Sequence, residues 1–276
     1  DSSTSRGLGD VYKRQVVNGA AYLFDAGAGV VRRATAAKRK GIAALDSVNL
    51  KTVFLTHLHS DHTLGLPDLI LTPWVMGRQE PLAVYGPVGT KAMVAGIQTA
   101  WAEDIDKRLH DLQPSPPRGY QVDVHELAAN EVYKDANISV TALPVEHGAW
   151  KAFGYLVKTA DRTIVISGDA RPSEALTAAC AGCDLMIFEV YTMGSTAKVT
   201  PPWQAYRRAY HTSTEELGAI AKKSQPKRLV LYHRANPGCD QVGTNCGDSG
   251  SEAEALQEMQ RYYGGVVVEA HDLDVF

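Results

Sequence analysis

Thr52-Val53-Phe54-Leu55-Thr56-His57-Leu58-His59-Ser60-Asp61-His62 reads as a β-strand that runs directly into a cluster of metal-type donors. The first four residues are β-branched or apolar, as a buried strand requires. Three histidines and an aspartate then fall between His57 and His62, in a chain with nine histidines in all. Chance does not cluster them so tightly. Imidazole nitrogen and carboxylate oxygen are the donors that zinc and its neighbours accept. The H-x-H pair can reach one ion while Asp61 and His62 reach a second. A loop just past a strand's carboxyl end is where open α/β architectures place ligands.

Working outward, apolar strand runs alternate with helix patterns along the whole chain. Val16-Val17 and Ala21 to Phe24 flank Asn18-Gly19, a hairpin signal. Val30 to Lys40 reads as a helix, Leu82 to Tyr85 as a strand and Thr90 to Leu112 as one helix. In the second half, Val122 to Leu127, Glu131 to Lys134, Ile138 to Leu143, Phe153 to Thr159, Thr163 to Ser167, Leu185 to Val190, Leu229 to Tyr232 and Val266 to Glu269 read as strands. Ser173 to Ala181, Thr214 to Ser224 and Glu252 to Tyr263 read as helices. The layer solution for this pattern is two packed sheets with helices outside.

Four further positions share the grammar of the opening stretch, a strand end followed at once by a ligand-type residue. They are Leu143-Pro144-Val145-Glu146-His147, Ile164 to Asp169, Leu185 to Glu189, and Leu229 to His233. Singly each is weak; in order, and together with HxHxDH, they are specific. At this point the chain resembles the metallo-β-lactamase-fold hydrolase superfamily, and within it the ribonuclease Z-like and arylsulfatase-like branch, from about Val16 onward. The resemblance implies an α/β fold, a four-layer αββα sandwich of two mixed β-sheets flanked by helices. It implies two divalent ions, zinc foremost, with manganese or iron as substitutes. His57, His59 and His147 match the ligands of one ion, Asp61, His62 and His233 those of the other, and Asp169 the carboxylate that bridges them. Glu189 and the His211 of His211-Thr212-Ser213-Thr214-Glu215 match an acid pair of the ribonuclease Z branch. Asp61, His211 and Glu189 are the implied catalytic side chains, and Asp25-Ala26-Gly27 matches a supporting turn in which Asp25 steadies the loop by hydrogen bonds.

The reaction this implies is ester hydrolysis by a hydroxide held between the ions, with the His211–Glu189 pair protonating the leaving group. The resemblance departs from ribonuclease Z proper at one place. There, an arm that grips tRNA is inserted between the third metal histidine and the bridging aspartate. Here 21 residues separate His147 from Asp169, and a turn and two strands account for them. With a net charge of -3 and no basic track, a nucleic-acid partner is disfavoured. The expected substrate is a small-molecule ester: a phosphodiester or phosphotriester, or an aryl sulfate. A lactonase or β-lactamase is the main alternative, and a tRNA 3′-processing endonuclease ranks below it. Trp150, Tyr191, Trp203 and Tyr206 are expected to wall the substrate pocket, and the loop Ala235 to Ser251 to rim it.

Asp1 to Gln15 has no apolar period and resembles adaptor sequence translated from environmental DNA. It is set aside as a non-native tail, leaving one hydrolase domain over 16–276 whose natural front is truncated. A missing edge strand there would invite a homodimer. Cytoplasmic and exported locations stay open, and no apolar run approaches the ~20 residues of a membrane span. Cys180 and Cys183 read as two small buried thiols. Cys239 and Cys246 suit a disulfide if the protein is exported.

Overall fold

A computed structural model describes residues 13–234 and 252–276. The described residues form two compact units, one built from 13–128 together with Asp272–Phe276, the other from within Ala129–His271.

In the first unit, β1 (Lys13–Val17) and β2 (Ala20–Phe24) form the expected hairpin. Asn18 and Gly19 both take positive φ, as a two-residue hairpin turn demands. The pairing takes in Lys13, Arg14 and Gln15, the last residues of the segment set aside above. Then follow α1 (Val30–Arg39), β3 (Leu50–Phe54), α2 (Ser60–Thr63), α3 (Leu66–Val75), β4 (Leu82–Gly86), α4 (Thr90–Ala100), α5 (Ala102–His110) and β5 (Val122–Glu126). The helix expected over Thr90 to Leu112 is therefore two, interrupted at Trp101, whose φ/ψ of -107°/17° leaves the helical basin. The sheet order is β1-β2-β3-β4-β5, with all pairings after the hairpin parallel. The parallel strands bury Leu23, Phe24, Val53, Phe54 and Val84 almost completely, so their sequences read as apolar runs rather than alternations. Phe24, Phe54, Tyr85 and His125 are register partners across β2 to β5 and stack in series, with centroid spacings of 5.1, 5.0 and 4.6 Å.

Arg78 closes the end of α3. It is 1% exposed and donates to the carbonyls of Leu50, Leu69, Ile70 and Gly119 at 2.7–3.1 Å. Burial pulls its guanidinium down to about 10. Gly119 is required at this crossing, since a Cβ there would stand 1.8 Å from the Arg78 carbonyl oxygen. At the other end of the chain, Asp272 pairs with Arg33 and Leu273 packs on this unit's core.

The second unit contains β6 (Val132–Lys134), β7 (Ser139–His147), β8 (Trp150–Lys158), β9 (Thr163–Ile166), α6 (Glu174–Cys180), β10 (Leu185–Val190), α7 (Met193–Ala197), α8 (Pro201–Tyr210), α9 (Thr214–Ser224), β11 (Leu229–Arg234), α10 (Glu252–Tyr262) and β12 (Val267–Glu269). Its sheet order is β12-β11-β10-β9-β8-β7-β6. The four strands from β12 to β9 are parallel, and β9 to β6 pair antiparallel. Each unit thus supplies a mixed sheet with helices, the α/β class expected. α9 starts as its sequence demands: Ser213 and Glu216 form a reciprocal capping box, acids fill the first turn and Lys222 and Lys223 the last.

Cys180 and Cys183 are not two thiols. They form a disulfide across the end of α6. Ala181 and Gly182 both take positive φ and fold the chain tightly enough to bring the two Cα atoms within 4.7 Å; the C-x-x-C spacing alone does not specify that turn. Cys239, Cys246 and the rest of the loop lie outside the described residues. Among those described, no helix is long and apolar enough to cross a membrane.

Candidate functional site

In the first unit the donors gather on the loop between β3 and α2, which carries His57 and His59, and on α2 itself, which carries Asp61 and His62. Asp25 organises them from the end of β2. It is fully buried, with φ of 64°. Its carboxylate accepts from the Thr56 backbone N–H at 2.7 Å and the Thr56 hydroxyl at 3.0 Å, and lies 3.0 Å from His62 Nδ1. With Nδ1 so engaged, His62 turns Nε2 toward Asp61, 3.7 Å from Oδ2. His57 is treated alike: Nδ1 lies 3.0 Å from the Thr56 hydroxyl while Nε2 converges on His59 Nδ1 at 2.8 Å. An imidazole tied at one nitrogen by a carboxylate or hydroxyl and pointing the other at its neighbours is the usual state of a metal-ligating histidine. The supporting role expected of Asp25 is what the geometry has.

In the second unit, four strand or helix ends bring their side chains towards Asp169, which is buried just past the end of β9. His147 ends β7, donates from Nδ1 to the Tyr210 carbonyl at 2.8 Å, and holds Nε2 4.0 Å from Asp169 Oδ2. His233 Nδ1 lies 3.5 Å from Asp169 Oδ1. The β10–β11 register passes from Glu189↔Tyr232 to Val190↔Arg234, so His233 sits on a bulge, with φ of 41°. Non-glycine residues at positive φ are costly and gather at functional sites; Asp25 and His233 both obey that rule. Within the first unit His57 with His59, and Asp61 with His62, and within the second His147 with Asp169, offer donor atoms within 4.8 Å of one another, and these buried or half-buried N and O donors fit a divalent metal.

Glu189, buried on β10, accepts from the Ala170 backbone N–H at 2.9 Å and from His211 Nδ1 at 2.9 and 3.0 Å. Burial disfavours a charged His211, but the carboxylates of Glu189 and Asp169 outweigh it and hold the imidazole pKa above its ordinary value. Nε2 is left as the nitrogen that can exchange a proton.

The four expected pocket residues divide. Trp203 and Tyr206 are half-buried on α8, and the Tyr206 ring lies 5.5 Å from that of His211. Trp150 is 41% exposed and is His147's register partner. Tyr191 is buried and lies beneath the guanidinium of Arg207, 5.9 Å from the ring centroid. Its ring is thus part of the packing behind the site rather than a pocket wall. Sequence reasoning missed Arg207, which is 1% exposed and donates from Nη1 to Ser195 Oγ and Thr196 Oγ1. An arginine in an amphipathic helix ordinarily reads as surface. It also missed Thr56, for which a threonine at a strand end carries no distinguishing signal.

Two mixed sheets with helices, and strand ends carrying His and Asp donors that could hold a metal ion, define a fold and site class that known proteins share. Residues 21–234 match the family described as "Beta-lactamase superfamily domain", and the chain belongs to that family. Among its relatives, ribonuclease Z of Mycobacterium sp. (strain KMS) is 34% identical over 227 residues, covering 79% of this chain and 75% of the relative. Ribonuclease Z of Mycobacterium bovis (strain BCG / Pasteur 1173P2) is 31% identical over 222 residues, covering 77% and 75%. Human tRNase Z, short form, has the same fold at a TM-score of 0.63 and 21% identity, over 95% of this chain and 90% of that one. YhfI from Bacillus subtilis matches at 0.63 and 18%, over 92% and 86%.

Proposed function

We propose that the protein is a metal-dependent hydrolase of small phosphodiesters, with His57, His59, Asp61, His62, His147, Asp169 and His233 as ligands of two divalent ions, zinc foremost. Bound there, such ions supply Lewis-acid polarisation and lower the pKa of water towards neutrality. The observation that carries the ester reading is the His211–Glu189 pair beside Asp169. Glu189 engages His211 through Nδ1 and its carboxylate raises the imidazole pKa above its ordinary value, which suits Nε2 to deliver a proton to a departing alkoxide. Good leaving groups, such as those of strained acyl rings, need that help least, which ranks lactones and β-lactams second.

Support for a small substrate comes from the span between His147 and Asp169. It holds only the turn at Gly148, β8, the Thr159–Arg162 turn and β9. The ribonuclease Z names of the relatives favour a second reading, cleavage of a tRNA precursor.

The test is His211→Ala. Metal content should stay intact, while hydrolysis of alkyl-leaving diesters falls about 10²–10⁴-fold and that of p-nitrophenyl diesters far less. Equal slowing of both would remove the proton-donor role. A tRNA precursor assayed in the same panel, turned over faster than every small diester, would replace the small-substrate reading.

A further inference from the structure

We propose that Trp203, Tyr206 and Tyr210 form a stacking platform on α8 that binds a planar aromatic ring of the ester's non-leaving group. The proposal rests on the ester-hydrolase reading above. The three rings lie at positions i, i+3 and i+7, one face of the helix. Trp203 meets Tyr206 edge-on at 5.5 Å, and Tyr206 stacks on Tyr210 at 4.5 Å with planes 23° apart. The inner end reaches the chemistry. Tyr206 contacts the His211 ring at 5.5 Å and Tyr210 the His147 ring at 5.2 Å.

This face is not a core seam. Arg207 is the buried residue of α8, and the three aromatics are each half-buried, resting on one another. Tyr210 is wedged in place by Gly148, where φ is 57° and a Cβ would stand 2.1 Å from the ring. The inner step is therefore packed against a proposed metal ligand, while Trp203 and Tyr206 stay partly exposed. Rigid aromatic surface with exposed π faces takes planar rings with little regard to their substituents. Two sources share that chemistry, an aryl alcohol and a nucleobase.

The test uses three diesters with one leaving group, p-nitrophenyl, and methyl, phenyl or thymidin-5′-yl as the other ester. The wild type should prefer phenyl or thymidinyl over methyl. In Trp203→Leu and Tyr206→Leu that preference, taken as a ratio of kcat/KM, should fall about tenfold through KM, and Trp203→Phe should restore it. A fall for phenyl alone, for thymidinyl alone or for both supports the platform and assigns its source. A ratio unchanged while all three rates drop together overturns it, as does a wild type without the preference. Fluorescence keeps the proposal separate from the hydrolase reading. Methyl (4-nitrophenyl)phosphonate, whose ring is bonded to phosphorus and cannot leave, should quench the wild type more than Trp203→Phe, even if no diester is turned over, and equal quenching of the two overturns the platform.

Discussion

Arg78 is a buried cation answered by four carbonyls rather than by a carboxylate. Its fork binds β3, α3 and the Gly119 crossing in one stroke, a geometry that lysine's single ammonium cannot reproduce. Arg78→Met should strand those carbonyls and cost about 3 kcal/mol or more, read as a lower urea midpoint with unchanged slope. Arg78→Lys should recover little of it. Chemistry-bearing residues were legible where their type is scarce and their position repeats. His57 and His59 stand just past an apolar strand, and His147 and His233 stand at the ends of β7 and β11. Arg78 and Arg207 were not legible, because burial of an arginine depends on partners distant in the chain: Gly119 in one case, Ser195 and Thr196 in the other.

Helix α4 begins at Gly89 without a side-chain cap of its own. Glu126, from the end of β5, serves instead, accepting from the backbone N–H groups of Gly89 and Lys91 at 2.8 and 3.0 Å. Those N–H groups hold the carboxyl below its ordinary pKa. A depressed carboxylate contributes stability above its unfolded pKa and loses it as pH falls through the folded one. Glu126→Gln should therefore lower the Tm at neutral pH, and the gap to the wild type should close as the buffer is taken below the usual carboxylate range. A gap constant with pH would mean that the carboxylate is not the cap. Elements announced by local chemistry were read correctly: the Asn18-Gly19 turn and the helix α9 over Thr214–Ser224. The break at Trp101 was not, because Ala100-Trp101-Ala102 carries no glycine or proline and helical propensity runs straight through it. The Cys180–Cys183 bond escaped for a similar reason, since it depends on an alanine adopting positive φ.

Each unit has its own apolar core, one around Leu23, Val53 and Leu69, the other around Phe188, Leu217 and Leu231. Apolar burial alone can form both; the polar residues collected at the strand ends add stability only when their charges are answered. Loading with zinc or manganese should raise the Tm of the whole chain, and chelation should lower it. An ion at a hundred times its Kd is worth about 2.7 kcal/mol, several degrees for a chain of this size. A Tm indifferent to metal would contradict the ligand assignment. The division of the chain also has a consequence in time. The first unit's sheet is complete by β5, but Asp272 and Leu273, which close on Arg33 and on that unit's core, are made only after the whole of Ala129–His271. At about 5–20 residues per second that delay on the ribosome is on the order of ten seconds, so the half that is translated first is the half that is finished last.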